Sequence, residues 1–362
     1  MTLSEQTVLV ATERGIISPE QAERLRALEA ELAPSTGATL PPPEDDERLR
    51  LVTGFGDIFV TIGLALFLGA LGYFSTALGA AGMWAAIAAA SWLLAEFFTR
   101  VQRMALPSIV LLVVFCGSVF VAASAALGST VPLFPSVLSL SEAPVTLALA
   151  GLATLAAATL HYWRFRVPIT IAAGAAALVA IVVGLVAAVA PGGIEAAINP
   201  VLMLCGLGVF ALAMRFDLSD PQRLTRRTDI AFWLHLLAAP LIVHPLIHGF
   251  IWPDGTPGEA SALPVLAVFA VLGVVAVLID RRALLVSGLA YAGFAFASLI
   301  EGSGFADSST PLSLLVLGAL ILLLSALWHP LRRGVLALVP ARLAQRLPHP
   351  LVSLSTRNAS SS

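Results

Sequence analysis

The chain has 362 residues, 58% of them hydrophobic and 12% charged, with a net charge of -2. A soluble domain usually carries about 25% charged residues, so there is too little polar surface here to cover a water-soluble core of this size. All the cationic residues are arginine; they form no basic stripe beyond what membrane orientation requires, which excludes a nucleic-acid partner.

Residues 4–33 read as two short helices. Gly15 suits the end of the first, where a left-handed residue is wanted. The second restarts at Ser18-Pro19-Glu20-Gln21. Ser18 can cap the free amides, Pro19 suits the first helical position, and Gln21 can close a capping box. Leu25, Leu28 and Leu32 then share one face. Residues 1–33 are therefore expected to form a cytosolic helical hairpin, followed by a Pro-rich acidic linker over 34–50. The proline triplet favours an extended path there and the acidic run stays solvated. The opening residues have no apolar core of a signal peptide, so the first apolar span is expected to be the insertion signal.

From residue 54 onward, apolar runs alternate with short polar breaks. A helix needs about 20 apolar residues to cross ~30 Å of hydrocarbon. The expected spans are 54–74, 78–98, 105–127, 144–163, 167–190, 197–214, 230–250, 263–279, 283–300 and 312–328. The fold class is thus an all-α polytopic transmembrane helix bundle of about ten spans, occupying 51–330, with the small hairpin before it. Continuously apolar runs without period-2 alternation exclude a β-barrel. The Asp280-Arg281-Arg282 break forces a turn, because arginines at mid-bilayer cost several kcal/mol.

Ten arginines in the breaks segregate completely: Arg100, Arg103, Arg164, Arg166, Arg215, Arg223, Arg226, Arg227, Arg281 and Arg282 all follow even-numbered spans. The odd-numbered breaks hold Glu142, Glu195, Asp254, Glu259 and Asp307. The positive-inside rule places the even breaks, and both termini, in the cytoplasm. The expected location is a bacterial inner membrane, with the lipid bilayer as the certain partner. Residues 331–362 read as an amphipathic tail and a disordered end. Leu336, Val339, Leu343 and Leu347 can share one face beside Arg342 and Arg346, with Pro340 limiting the helix; the stretch either lies on anionic headgroups or packs on the bundle.

The opening RGIISPEQAERLRALEAEL, the acidic linker and GFGDIFVTIGLALFLGALGYF resemble a family of bacterial multi-pass membrane proteins of unknown function. These begin with a cytosolic hairpin of the type G-(L/I)-I-S-x-E-Q, matched here by Gly15, Ile16, Ile17, Ser18, Glu20 and Gln21. The resemblance implies a multi-spanning fold and no activity.

Candidate chemistry is sparse. Cys116 and Cys205 stand inside apolar runs and read as small buried hydrophobes. No Walker loop, Rossmann glycine pattern or nucleophile elbow is present, so no catalytic, metal or cofactor-binding residue is assigned. Asp57, Glu96, Asp229 and Glu301 lie near span ends, where acids can snorkel or pair with arginine. The tryptophans fall mostly toward span ends, as in an interfacial belt. Span seven differs. It holds His235, His244 and His248, and two interior prolines, Pro240 and Pro245. The other span prolines read as first-turn residues. Interior prolines free carbonyls and kink the helix, and freed groups in a bilayer must be satisfied by protein or water.

Three functional readings follow. One is a solute-binding or transport site at His235, Pro240, His244, Pro245 and His248, with Asp57 and Glu96 as further candidates. The second is an assembly protein whose residues 1–33 dock a cytosolic partner. The third is a histidine-based redox or metal protein, in which His161 is the one partner that could pair with His235 for a haem. A zinc site at His244 and His248 lacks a third ligand. Neither substrate nor oligomeric state is legible.

Overall fold

The computed structural model describes residues 12, 14, 18–24, 55–129, 143–190, 193–220, 223, 225–252, 259–302 and 308–340. The chain divides into two compact units, Met1–Arg48 and Leu49–Ser362. In the first, residues 19–24 are helical. Gln21 N donates to Ser18 Oγ (3.2 Å) and Ser18 N donates to Gln21 Oε1 (2.9 Å). This is the reciprocal capping box expected from the sequence. The rest of the hairpin, including Gly15, and the linker lie outside the described residues.

The second unit is all helix among the described residues. Its elements are α1 (Phe55–Phe74), α2 (Gly79–Ala95), α3 (Ala105–Ala126), α4 (Pro144–Phe165), α5 (Ile169–Val189), α6 (Ile194–Ser219), α7 (Arg226–Leu246), α8 (Glu259–Ile279), α9 (Ala283–Gly302), α10 (Ser309–Ala326) and α11 (Trp328–Ala337). The first helical run is continuous over 47 residues, Phe55–Val101. At 1.5 Å per residue that is ~70 Å, more than twice a bilayer core. It is two crossings. A 3₁₀ turn at Ser75–Leu78 ends on Gly79, whose φ of 72° and ψ of 173° suit glycine alone. The chain then folds back, so that Leu64 and Leu68 of α1 share a core with Ile87 and Ala95 of α2. Each further helix from α3 to α10 is long and apolar enough to cross a membrane. With the folded run this makes ten crossings among the described residues, and the chain is a multi-pass membrane protein.

Large apolar side chains face outward along the bundle, including Phe67, Leu185, Val271 and Leu322. In water such a surface would aggregate; in a bilayer it is solvated by lipid tails. Inside, small residues let helices approach closely. A Cβ on Gly184 of α5 would stand 2.6 Å from Ala148 N of α4, and one on Gly206 of α6 would stand 2.9 Å from the Leu241 carbonyl carbon of α7.

Several boundaries differ from the sequence reading. α6 runs to Ser219 instead of stopping at 214, which brings Asp217 into the helix. Because α6 begins at Ile194 and α8 at Glu259, Pro200 and Pro264 are interior prolines, so α7 is not alone in carrying them. The amphipathic helix starts at Trp328, before the expected boundary at 331. Leu343, Leu347, Arg342 and Arg346 lie outside the described residues.

Candidate functional site

α7 carries two polar clusters, nine residues apart or ~14 Å along the helix. The first lies two turns in from its arginine-bearing start. His235 there is fully buried. Its Nε2 lies 2.8 Å from Oδ2 of Asp217, near the end of α6. An ionised carboxylate only accepts, so Nε2 carries the hydrogen and donates. Arg281, at the turn between α8 and α9, donates from Nε to the same oxygen (3.1 Å) and from Nη2 to Oδ1. Asp217 and Arg281 are each 1% exposed. A two-pronged guanidinium–carboxylate pair of this kind compensates two charges that could not be buried singly. The turn at 280–282 is as expected, but its arginine does not reach the headgroups: Arg281 is core.

A second layer closes the same end. Asp280 adopts the left-handed conformation, φ 58°, which aspartate tolerates better than most residues. Its carboxylate accepts from Trp328 Nε1 (2.7 Å) and Arg223 Nη1 (3.1 Å), and lies 3.7 Å from Arg332 Nη1. Arg223 Nη2 also donates to the carbonyls of Ile279 and Asp280. Asp220 Oδ2 accepts from the amide and hydroxyl of Thr225 and from Thr228 Oγ1. Arg332 is 3% exposed, and Trp328, one of the tryptophans read as a belt, is 2% exposed. The breaks after α6, α8 and α10 are thus stitched to one another at one end of the bundle.

The other cluster stands at the far end of α7. Pro240 and Pro245 remove the amide donors for the carbonyls of Leu236 and Leu241, and the helix passes into a π-turn at Ile247–Ile251. The amide of Trp252 closes that turn on Ile247 O (2.7 Å). π-turns widen the backbone and recur at functional sites. Gly249 sits against Asn199 of α6, where a Cβ would come within 3.3 Å of the side chain. His244 Nδ1 lies 2.6 Å from Tyr291 Oη of α9. The His244 and His248 rings meet at a tilt of 40° with centroids 4.3 Å apart. Trp252 stands edge-on to His248 at 5.7 Å and meets Tyr291 at the same distance. His244 is exposed, His248 and Tyr291 are half-buried, and Trp252 is buried. The result is an aromatic cluster between α7 and α9, with an imidazole–phenol hydrogen bond on its exposed side.

The seven sequence candidates therefore do not form one site. His235 belongs to the buried ion network. His244 and His248 belong to the aromatic cluster, with Pro245 buried between them and Pro240 exposed. Asp57 is not a snorkelling acid: it is 2% exposed in the first turn of α1. Glu96, at the π-turn after α2, accepts from Arg164 Nε (2.8 Å) and Nη2 (2.7 Å) and pairs with Arg100 at 3.4 Å. That joins the breaks after α2 and α4. His161 is boxed by Trp92, Phe115 and Phe165, with Thr170 Oγ1 3.4 Å from its Nδ1. Each of the two imidazoles considered for a shared haem has one nitrogen against its own neighbours, while His161 Nε2 and His235 Nδ1 are buried with no hydrogen-bond partner. No group of three metal-ligating side chains occurs among the described residues.

Sequence reading missed Asp217, Tyr291 and Trp252 as partners. A signal existed for Asp217, since an acid two residues after Arg215 and at the end of an apolar run has to be paired if the helix continues. Tyr291 carried none, because nothing in the ninth span marks it as facing His244. The chain matches no protein-family model, no curated protein and no solved structure.

Proposed function

We propose that this multi-pass membrane protein binds a small, weakly polar solute in a recess between α7 and α9, at the aromatic cluster. The carrying observation is the His244–Tyr291 hydrogen bond, made beside a π-turn on an accessible face. Ligand sites are mostly apolar with a few convergent polar groups. Here His244, His248 and Tyr291 supply donors and acceptors, and Trp252 supplies a flat apolar floor. The chemistry suits a neutral body bearing one hydroxyl or amine. The buried network at the opposite end of α7 supports the helix and reads as scaffold.

The test is thermal stabilisation of the purified protein by phenol, indole and toluene. A ligand at 100 times its Kd stabilises by about 2.7 kcal/mol. Phenol and indole are expected to raise the melting temperature more than toluene, and His244→Leu with Tyr291→Phe to abolish the difference. Equal shifts in the wild type and the double variant would refute the recess as the site.

The segregation of arginines supports a bacterial inner-membrane location with both termini cytoplasmic, and the opening motif supports membership of the family it resembles. A second reading rests on Met1–Arg48 being a compact unit of its own: the hairpin docks a cytosolic protein. Deleting residues 1–40 with full retention of the cellular phenotype would remove it.

A further inference from the structure

The helices α8 and α10 both pack on α9, and a furrow remains between them. Its volume is about 370 Å³, and its walls include Phe269, Gly273, Val277, Leu285, Leu320 and Leu324. That volume lies within the range of ligand pockets, about 300–1,000 Å³. The furrow extends along α8 from Leu266 to Val277 and along α9 from Leu285 to Phe296. The ends of each stretch are eleven residue steps apart, ~16 Å, so the long axis follows the helices. Its foot is closed by α11, through Leu331 and Val335.

The foot is also where the guanidinium groups gather. Arg282, three residues before Leu285, lies with Cζ 5.0 Å over the Trp328 ring. Arg332 turns inward onto Asp280, while Arg333, between Leu331 and Val335, is exposed. Arg223 and Arg332 are both engaged by Asp280, which leaves Arg333 as the exposed guanidinium on α11. An apolar slot parallel to membrane helices, with a cationic foot on a short amphipathic helix, has the form of one ligand class: an apolar chain ending in an anion.

We propose that the furrow holds one acyl chain of an anionic phospholipid, whose phosphate rests against Arg333. The site is separate from the recess on α7 and does not depend on it. Ordinary boundary lipid would touch the same walls but would not distinguish headgroups. The charge at the foot predicts that this site does.

Native mass spectrometry of the delipidated full-length protein tests it, using phosphatidylglycerol and phosphatidylcholine of identical chains in equal amounts. The wild type is expected to retain one phosphatidylglycerol over phosphatidylcholine by about fivefold or more, the effect of one guanidinium near an anionic surface. Gly273→Leu fills the furrow, since the added Cβ meets only Leu285 Cδ2, at 3.9 Å; it is expected to lose retention of both lipids. Arg333→Gln, an exposed change that leaves the fold intact, is expected to keep a lipid and lose most of the preference. Equal retention of the two lipids by the wild type overturns the proposal, as does an unchanged preference in Arg333→Gln. A preference that survives Gly273→Leu places the lipid elsewhere. A dimer that Gly273→Leu dissolves would make a second copy of the chain the occupant and equally overturn it. If Gly273→Leu does not fold, Arg333→Gln decides alone.

Discussion

Replacing Asp217 by alanine should destabilise the bundle far more than its single lost side chain implies. Arg281 is 1% exposed and held by both oxygens of Asp217, and His235 is fully buried against the same carboxylate. Without Asp217, a buried guanidinium keeps only the Thr228 carbonyl at 3.4 Å, and a buried imidazole N–H loses its acceptor. Breaking a buried pair from one side costs about 3–5 kcal/mol. At ~1.4 kcal/mol per factor of ten, that is roughly two to nearly four orders of magnitude in the unfolding equilibrium. Unfolding of the detergent-solubilised protein, followed by tryptophan fluorescence, measures it. Two controls isolate the cause. Glu96→Ala removes a carboxylate from a pair about 30% exposed on each side, where water replaces the partner, and should cost at most ~1 kcal/mol. Asp217→Leu combined with Arg281→Met removes both charges and should recover much of the loss, because apolar replacement of a buried pair is often neutral or stabilising. If Asp217→Ala unfolds like the wild type, or the double variant is as unstable as the single one, buried charge compensation is not what holds α6, α7 and the α8–α9 turn together.

Further outcomes follow from packing, capping and threading. Gly184→Ala should destabilise by at least 1–3 kcal/mol, since the new methyl meets backbone of α4 that cannot move aside; Gly63→Ala, with nothing within 4 Å, should be neutral or better in the same fluorescence assay. Ser18→Ala removes the hydroxyl that accepts from the Gln21 amide while keeping the backbone N–H that donates to Gln21 Oε1; it should cost the local helix about 1 kcal/mol, seen as faster amide exchange over 19–24 with no change in the bundle. A reporter fused after residue 255 should be periplasmic and one after residue 220 cytoplasmic; finding both on one side would contradict the threading.

Much of this architecture was legible in the residues alone. A run of about 20 apolar side chains has one stable arrangement in a bilayer, the helix that satisfies its own backbone, so the spans and the ten-crossing plan could be read without any contact. The cap at Ser18 and the turn at Asp280 were legible for a similar reason: both are local, set by residues a few positions apart. What the sequence could not decide was which polar groups meet. Asp217, His235 and Arg281 are 18 and 64 residues apart, and a charged residue near a span end looks the same whether it snorkels to water or is sealed by a partner from another helix. That choice turns Arg281 from a surface marker into core, buries Asp57 and Arg332, and divides the histidines of α7 between a buried ion network and an exposed aromatic cluster. Burial is a property of packed neighbours, and helices of nearly uniform hydrophobicity carry no stripe that announces which neighbours those are.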